Sequence, residues 1–199
     1  DADIRQFSQE FRASGETDGG MDYVAGLYYL NSSKTYLLTL QDGDGKTPIF
    51  YLGPKEMLDT ESLAAFGQLE YPFTDSLRAI IGGRVTYEKK TLERTLRPGF
   101  IDLGASERLP TSSGSTTEPT GKIGLQWIIN PGLNFYGHIS TGFKSAEYPS
   151  DKADAKLKLV DPEKVTSLEL GMKSQWLDDR LALNAAVFSS KIKNKQSTT

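Results

Sequence analysis

The stretch GKIGLQWIINPGLNFYGHISTGFK, residues 121–144, decides the fold because it holds two alternating segments joined by one tight turn. In the first segment, residues 121–129, Ile123 and Leu125 alternate with small or polar residues, and residues 133–144 repeat the pattern after an Asn-Pro-Gly turn. Successive side chains of a β-strand point to opposite faces, and Asn, Pro and Gly favour turns. The stretch therefore predicts a β-hairpin with one apolar and one polar face.

The same pattern of strand, tight turn, strand and long polar loop recurs along the whole chain. It predicts an all-β fold in which eight strands pair in chain order as an antiparallel up-and-down meander of four hairpins. No helix beyond a short turn is expected. The predicted strands are residues 4–14, 21–31, 61–71, 76–90, 121–129, 133–144, 163–176 and 181–192.

The connections differ in length at the two ends of the predicted strands. Tight turns lie at one end, whereas long loops are predicted at the other, at residues 32–60, 91–118 and 145–162. This asymmetry is typical of an outer-membrane β-barrel, with short periplasmic turns and long extracellular loops. A soluble up-and-down barrel or a sandwich would also show alternating strands, so the alternation by itself leaves that alternative open.

Aromatic and charged residues favour the membrane interpretation. One aromatic group lies next to the tight turns and a second lies near the opposite strand ends, as expected for the two membrane interfaces. The first group is Tyr71, Phe73, Trp127, Phe135 and Trp176, and the second is Tyr29, Tyr87 and Phe143. The predicted outer, lipid-side face carries Leu77, Ile81, Val85, Ile123, Leu125, Ile139, Leu168, Leu170 and Leu183. The predicted inner face carries Arg78, Arg84, Lys122, Gln126, His138, Glu169 and Lys173.

Composition narrows the classes of protein. The 199 residues include 37% hydrophobic residues and no Cys, so disulfides and cysteine-ligated metals are excluded. No apolar run reaches the roughly 18 residues of a transmembrane helix. The net charge of −3 gives no sign of a nucleic-acid partner. No secretory signal precedes Asp1, from which we expect a mature form or an internal piece.

Several segments resemble the barrel domain of TonB-dependent outer-membrane receptors, the iron complex outer-membrane receptor group. The most specific are STGFKS at residues 140–145 and DPEKVTSLELGMKSQWLDDRLALNAAVF at residues 161–188. The family pattern often continues with a Gly-Gly-Phe-Asn-like run, and this chain departs from that pattern with Ala146-Glu147-Tyr148-Pro149. Further similar segments are residues 7–12 with 23–30, 64–75 with 82–90, and 122–145.

The resemblance implies a transport role in the outer membrane of a Gram-negative bacterium. Receptors of this family have about 22 strands around an N-terminal plug, and a short TonB box couples them to inner-membrane energy. Residues 1–199 resemble part of the barrel alone, without plug or TonB box. The implied partners are outer-membrane lipid, the remaining strands and plug of the same receptor, TonB, and a small ligand such as a ferric siderophore.

Five residues of the predicted inner face are candidates for contact with an anionic ligand: Arg78, Arg84, Lys122, His138 and Lys144. The alternative is that these charges pair with other charges inside the barrel. His138 is the only histidine and has no second His or Cys beside it, so we interpret it as a wall residue and not as a metal ligand.

The sequence holds no motif for catalysis or cofactor binding. The run Asp42-Gly43-Asp44-Gly45 lacks the remaining ligand positions of a calcium loop. We therefore expect no enzymatic activity, no cofactor and no metal site. An alternative function is a self-contained eight-strand barrel or soluble β-domain that binds through its loops. Gly82, Gly124, Gly142 and Gly171 would fill such a small barrel poorly, which favours an open segment of a larger barrel.

Overall fold

The computed structural model describes residues 2–37, 39–41, 48–51, 54–96, 106–149 and 155–196. Its main sheet has nine strands, eight of which follow one another along the sheet in chain order and antiparallel. The strands of this path are β1 (Ala2–Glu16), β2 (Asp22–Tyr36), β5 (Lys55–Pro72), β6 (Leu77–Leu96), β8 (Ser112–Asn130), β9 (Leu133–Lys144), β10 (Glu163–Trp176) and β11 (Leu181–Lys193). The predicted all-β antiparallel meander is confirmed.

Three short strands complete the described structure. The pair β3 (Thr39–Gln41) and β4 (Pro48–Tyr51) forms a separate two-stranded sheet, and β7 (Glu107–Arg108) pairs with the end of β6. The run at residues 42–45 lies outside the described residues. In the part of the chain that the structure describes, no helix is long and apolar enough to cross a membrane.

The strands are longer than predicted at the end opposite the tight turns. β6 continues to Leu96 and β8 begins at Ser112, so residues 91–96 and 112–118 of the predicted loop 91–118 are strand. Likewise, β2 and β5 extend into the predicted loop 32–60. Cross-strand pairing stabilises these polar segments despite their loop-like composition, and Leu92 is buried opposite Ser112. The prediction of loops was wrong for residues 32–36, 55–60, 91–96 and 112–118.

The register assigns each side chain to one of two faces. Leu69 pairs with Ile81, Ile81 with Ile123, Ile123 with Ile139, and Ile139 with Leu168, so these residues share a face. We call it the apolar face and the opposite one the polar face. All nine predicted outer residues lie on the apolar face, and all seven predicted inner residues lie on the polar face.

The apolar face is uncovered, which is unusual for so many large side chains. Ile123 is 61% exposed, Ile81 56% and Leu170 54%. Near the tight turns this face carries aromatic pairs, including Tyr71 with Phe73, whose ring centroids are 5.1 Å apart. A contiguous exposed apolar surface of this kind marks contact with lipid or with another protein.

The sheet is open. Among the described strands β1 pairs with β2 alone and β11 with β10 alone, so these two strands form opposite edges. The closed eight-strand barrel, which would require β1 to pair with β11, is not formed. The preference for an open sheet is confirmed.

Candidate functional site

The polar face is where five candidate residues were predicted, and β6, β8 and β9 carry all five. Alternation along each strand and the antiparallel register place Arg78, Arg84, Lys122, His138 and Lys144 on this one face. Their surroundings differ. Two are paired with carboxylates, one is stacked on aromatic rings, and two line the same recess.

Arg78 and Lys144 have carboxylate partners within the chain. Nη1 of Arg78 lies 3.1 Å from Oδ2 of Asp22, and Nζ of Lys144 lies 3.9 Å from Oε2 of Glu147. Both pairs are substantially exposed, and exposed ion pairs contribute little to stability. Arg78 and Lys144 therefore follow the alternative interpretation, in which charges of this face pair with other charges of the protein.

Arg84 has aromatic neighbours. Its guanidinium carbon lies 5.4 Å from the ring centroid of Tyr28 and 5.8 Å from that of Phe66, and its Nε donates a hydrogen bond of 2.9 Å to Oγ1 of Thr86. Cation–π contacts of this length are attractive. No carboxylate of the described residues lies within ion-pair distance of Arg84, so its charge is oriented without being neutralised.

Lys122 and His138 line a recess of about 330 Å³ near the tight-turn end of the polar face, which we call the Lys122 recess. β6, β8, β9 and β10 form its walls. The other polar residues of its lining are Gln126, Asn134, Tyr136, Glu169 and Lys173. The structure thus brings two of the five candidates together and leaves Arg78, Arg84 and Lys144 outside this recess.

Tyr136, His138 and Glu169 lie together on one wall of the recess. The Tyr136 hydroxyl donates to Oε1 of Glu169 over 2.9 Å, and Nε2 of His138 lies 4.0 Å from Oε2 of Glu169. The Tyr136 and His138 rings are stacked with centroids 6.2 Å apart. Glu169 is therefore directed toward these two rings.

A second polar cluster, which the sequence did not indicate, lies at the long-loop end of the same face. Residues 145–149 and 155–162, which we call the inner loop, pack against the extended ends of β6 and β8. Leu157 and Ala146 are buried there, and the Leu157 amide donates to Oγ of Ser112 over 2.8 Å. The inner loop is thus held against the polar face.

Lys90 fixes the start of the inner loop. Its buried ammonium group donates a hydrogen bond of 2.7 Å to the carbonyl of Ala146 and lies 3.4 Å from Oε1 of Glu88, which also accepts from the Ser145 hydroxyl. The Tyr148 hydroxyl donates to the carbonyl of Lys90 over 3.1 Å. A tyrosine hydroxyl is a donor at neutral pH, and burial raises the pKa of Tyr148 further above that range.

Sequence reasoning missed Lys90, Ser112 and Tyr148 because all three lay in or beside segments predicted as loops. The sequence offers little signal for this cluster, since Glu88, Lys90 and Arg94 alternate with the equally polar Lys89, Thr91 and Glu93. Within the described ranges no three His, Asp or Glu side chains are grouped so that they could hold a metal ion. The chemistry that these clusters offer is hydrogen bonding and charge attraction.

Comparison with known sequences finds a receptor. The chain is 29% identical over 140 residues to the metal-pseudopaline receptor CntO of Pseudomonas aeruginosa, a match that covers 70% of this chain and 18% of CntO. The match thus spans less than a fifth of the length of that relative.

Solved structures share the fold. The ferric yersiniabactin uptake receptor FyuA of Yersinia pestis superposes with a TM-score of 0.80 at 22% identity, over 98% of this chain and 29% of FyuA. The open form of the ferric-catecholate import receptor Fiu of E. coli K12 gives 0.70 at 18% identity, over 97% and 31% of the two chains. Residues 2–199 match the family described as TonB dependent receptor-like, beta-barrel. The chain therefore belongs to the β-barrel family of TonB-dependent receptors.

Proposed function

We propose that residues 1–199 are part of the barrel wall of an outer-membrane transporter that takes up ferric siderophores or similar scarce metal complexes in a Gram-negative bacterium. The apolar face contacts outer-membrane lipid, and the polar face lines the interior. The observation that carries this proposal is the open sheet with two unlike faces. Large apolar side chains are exposed on one face, and charged side chains lie on the other.

The height of the apolar face supports a place in the bilayer. From Leu77, beside a tight turn, to Tyr87, at the opposite aromatic group, β6 rises about 33 Å at roughly 3.3 Å per residue. A tilt of about 45° reduces this to about 23 Å, close to the roughly 25 Å apolar band of outer-membrane barrels. Beyond Tyr87 the strand becomes polar, as expected outside lipid.

The open edges support a larger barrel. Unpaired backbone groups of β1 and β11 would each cost several kcal/mol in lipid, from which we infer that further strands of the same protein pair with them. The resemblance to the receptor family further implies a plug inside this barrel and coupling to TonB through a segment outside these residues. Transport requires no bond chemistry from this chain.

The ligand class follows from the relatives and from charge. Their names describe uptake or reception of metal–pseudopaline, ferric yersiniabactin and ferric catecholates. Arg84 and Lys122 present positive charge on the polar face, which favours anionic complexes.

The test is uptake by cells with and without the complete gene that encodes this chain. In a deletion strain we expect accumulation of at least one radiolabelled metal complex from a panel of siderophores and other chelates to fall to background. Accumulation should return with the plasmid-borne gene and require an intact TonB system. Unchanged uptake across the panel would contradict the proposal.

A further inference from the structure

The Lys122 recess is concave because two glycines of the polar face allow aromatic side chains to lie flat against the sheet. A Cβ at Gly171 would overlap the Tyr136 ring, and one at Gly124 would approach Cβ of His138 to 2.9 Å. These contacts are closer than real side chains tolerate. Gly124 and Gly171, which would fill a small barrel poorly, thus leave space for this cavity.

Two ammonium groups of the recess have no neutralising carboxylate. No carboxylate of the described residues lies within ion-pair distance of Lys122 or Lys173. Nζ of Lys173 instead lies 5.8 Å from the ring centroid of Tyr136. Glu169 also lines the recess, but its two oxygens are directed to Tyr136 and His138. Cations held in a partly enclosed site attract an anion.

Asn134, which lines the recess, has a side-chain oxygen without a hydrogen-bond donor. Oδ1 of Asn134 is buried and has no hydrogen-bond partner in the described structure. A buried polar atom without a partner costs free energy, which a ligand donor recovers when the Asn134 amide turns toward it. The missing group is an N–H or O–H donor.

We propose that the Lys122 recess binds a carboxylate that carries a neighbouring hydroxyl or amino donor, with Lys122 and Lys173 on the carboxylate and Asn134 accepting from the donor. This inference rests on the proposed function, because such groups chelate metals and a chelate moving along the polar face would meet the recess. The carboxylate has two possible sources: a free small molecule, or another segment of the same polypeptide.

The first experiment titrates the purified complete receptor, with its lysines ¹³C-dimethylated, with malate and with succinate. The two acids have the same carboxylates and differ by one hydroxyl. We expect malate to shift the Lys122 and Lys173 NMR signals saturably, and succinate to bind about threefold to tenfold more weakly, for loss of one hydrogen bond. Lys122→Gln and Lys173→Gln assign the signals.

Matched variants distinguish malate binding in the recess from non-specific attraction of malate to positive charge. Lys122→Gln should weaken malate binding at least about tenfold, for loss of a charged hydrogen bond, and Asn134→Leu should abolish the preference for malate over succinate. Lys89→Gln removes an exposed lysine outside the recess and should change neither value. Equal effects of Lys89→Gln and Lys122→Gln would overturn the proposal.

The second experiment distinguishes the sources by carbodiimide coupling, which joins an ammonium group to a carboxylate in contact with it. A cross-link from Lys122 or Lys173 to a peptide outside residues 1–199 would identify the polypeptide as the source and would explain an absence of malate binding. Malate binding without a cross-link would identify a free ligand. If neither occurs, the inference is rejected. Metal-complex uptake by the same cells would then still support the proposed function.

Discussion

At the scale of single residues, buried polar contacts decide which segments are held in place. Lys90 is only 8% exposed, yet its charge is accommodated because Glu88 and the Ala146 carbonyl surround it. Ser112 is fully buried and accepts from the Leu157 amide. A charge buried without such groups would be strongly destabilising. These side chains therefore hold the inner loop as a fixed part of the polar face.

Replacing Lys90 with Met should release the inner loop from the sheet. The change removes a charged hydrogen bond worth about 1.5–3 kcal/mol and leaves Glu88 without its cation. Hydrogen exchange at the Leu157 amide in the complete receptor should accelerate by roughly tenfold to 150-fold. Lys89→Met, a change at an exposed neighbour, is the control. Exchange that is equally slow in both variants would show that Lys90 does not anchor this loop.

Glu56 gives a pH-dependent prediction. Burial raises the pKa of this carboxyl above its ordinary 4.5, while the Arg94 guanidinium partly lowers it. The folded state therefore binds the proton more tightly than the unfolded state, so stability at this site falls as pH rises from about 4.5 through the folded pKa. The ionised form destabilises the β5–β6 end at neutral pH.

Glu56→Gln should accordingly slow hydrogen exchange in the ends of β5 and β6 at pH 7 and have no such effect below pH 4.5. Asp59→Asn, at a nearby position of β5, serves as the comparison. Faster exchange in the Gln variant at pH 7 would mean that attraction to Arg94 outweighs the cost of burial.

At the scale of elements, each strand separates two environments. β8 places Leu125 on the apolar face, 52% exposed, and Gln126 on the polar face within the Lys122 recess. A charged residue on the lipid face at mid-bilayer costs about 2–4 kcal/mol, so a one-residue slip in register would be strongly disfavoured. Pairing with β6 and β9 on either side fixes the register.

Spin labels at Leu125→Cys and Gln126→Cys in the complete receptor should report opposite environments. The label at position 125 should be quenched mainly by dissolved oxygen, which concentrates in lipid, and the label at 126 mainly by a water-soluble nickel chelate. Equal accessibility of the two labels would disprove the assignment of the faces.

At the scale of the whole molecule, the sheet has an uncovered apolar face and two open edges. β1 and β11 each pair on one side only, and every residue of both strands is exposed. Exposed edges of long strands promote pairing with other chains. The described sheet is therefore stable in a membrane only beside further strands.

Residues 1–199 produced alone should fail to insert into lipid bilayers as a stable monomer. We expect aggregation, because unpaired backbone groups at both edges remain costly in lipid. Size-exclusion chromatography in detergent and gel mobility with and without heating would detect it, with the complete receptor as the control. A monodisperse monomer with slow amide exchange in β1 and β11 would contradict this expectation.

The sequence by itself determined the eight main strands, their order and their faces, because an alternation with a period of two residues is a local property and tight turns enforce pairing between neighbours. It therefore placed Arg84, Lys122 and His138 on one face. Only the tertiary structure decided which charges meet. Lys90 and Ala146 lie 56 positions apart, as do Arg78 and Asp22, and their contact depends on register and strand length. The extension of β6 and β8 was likewise decided by pairing, since backbone hydrogen bonds and the burial of Leu92 outweigh a loop-like composition.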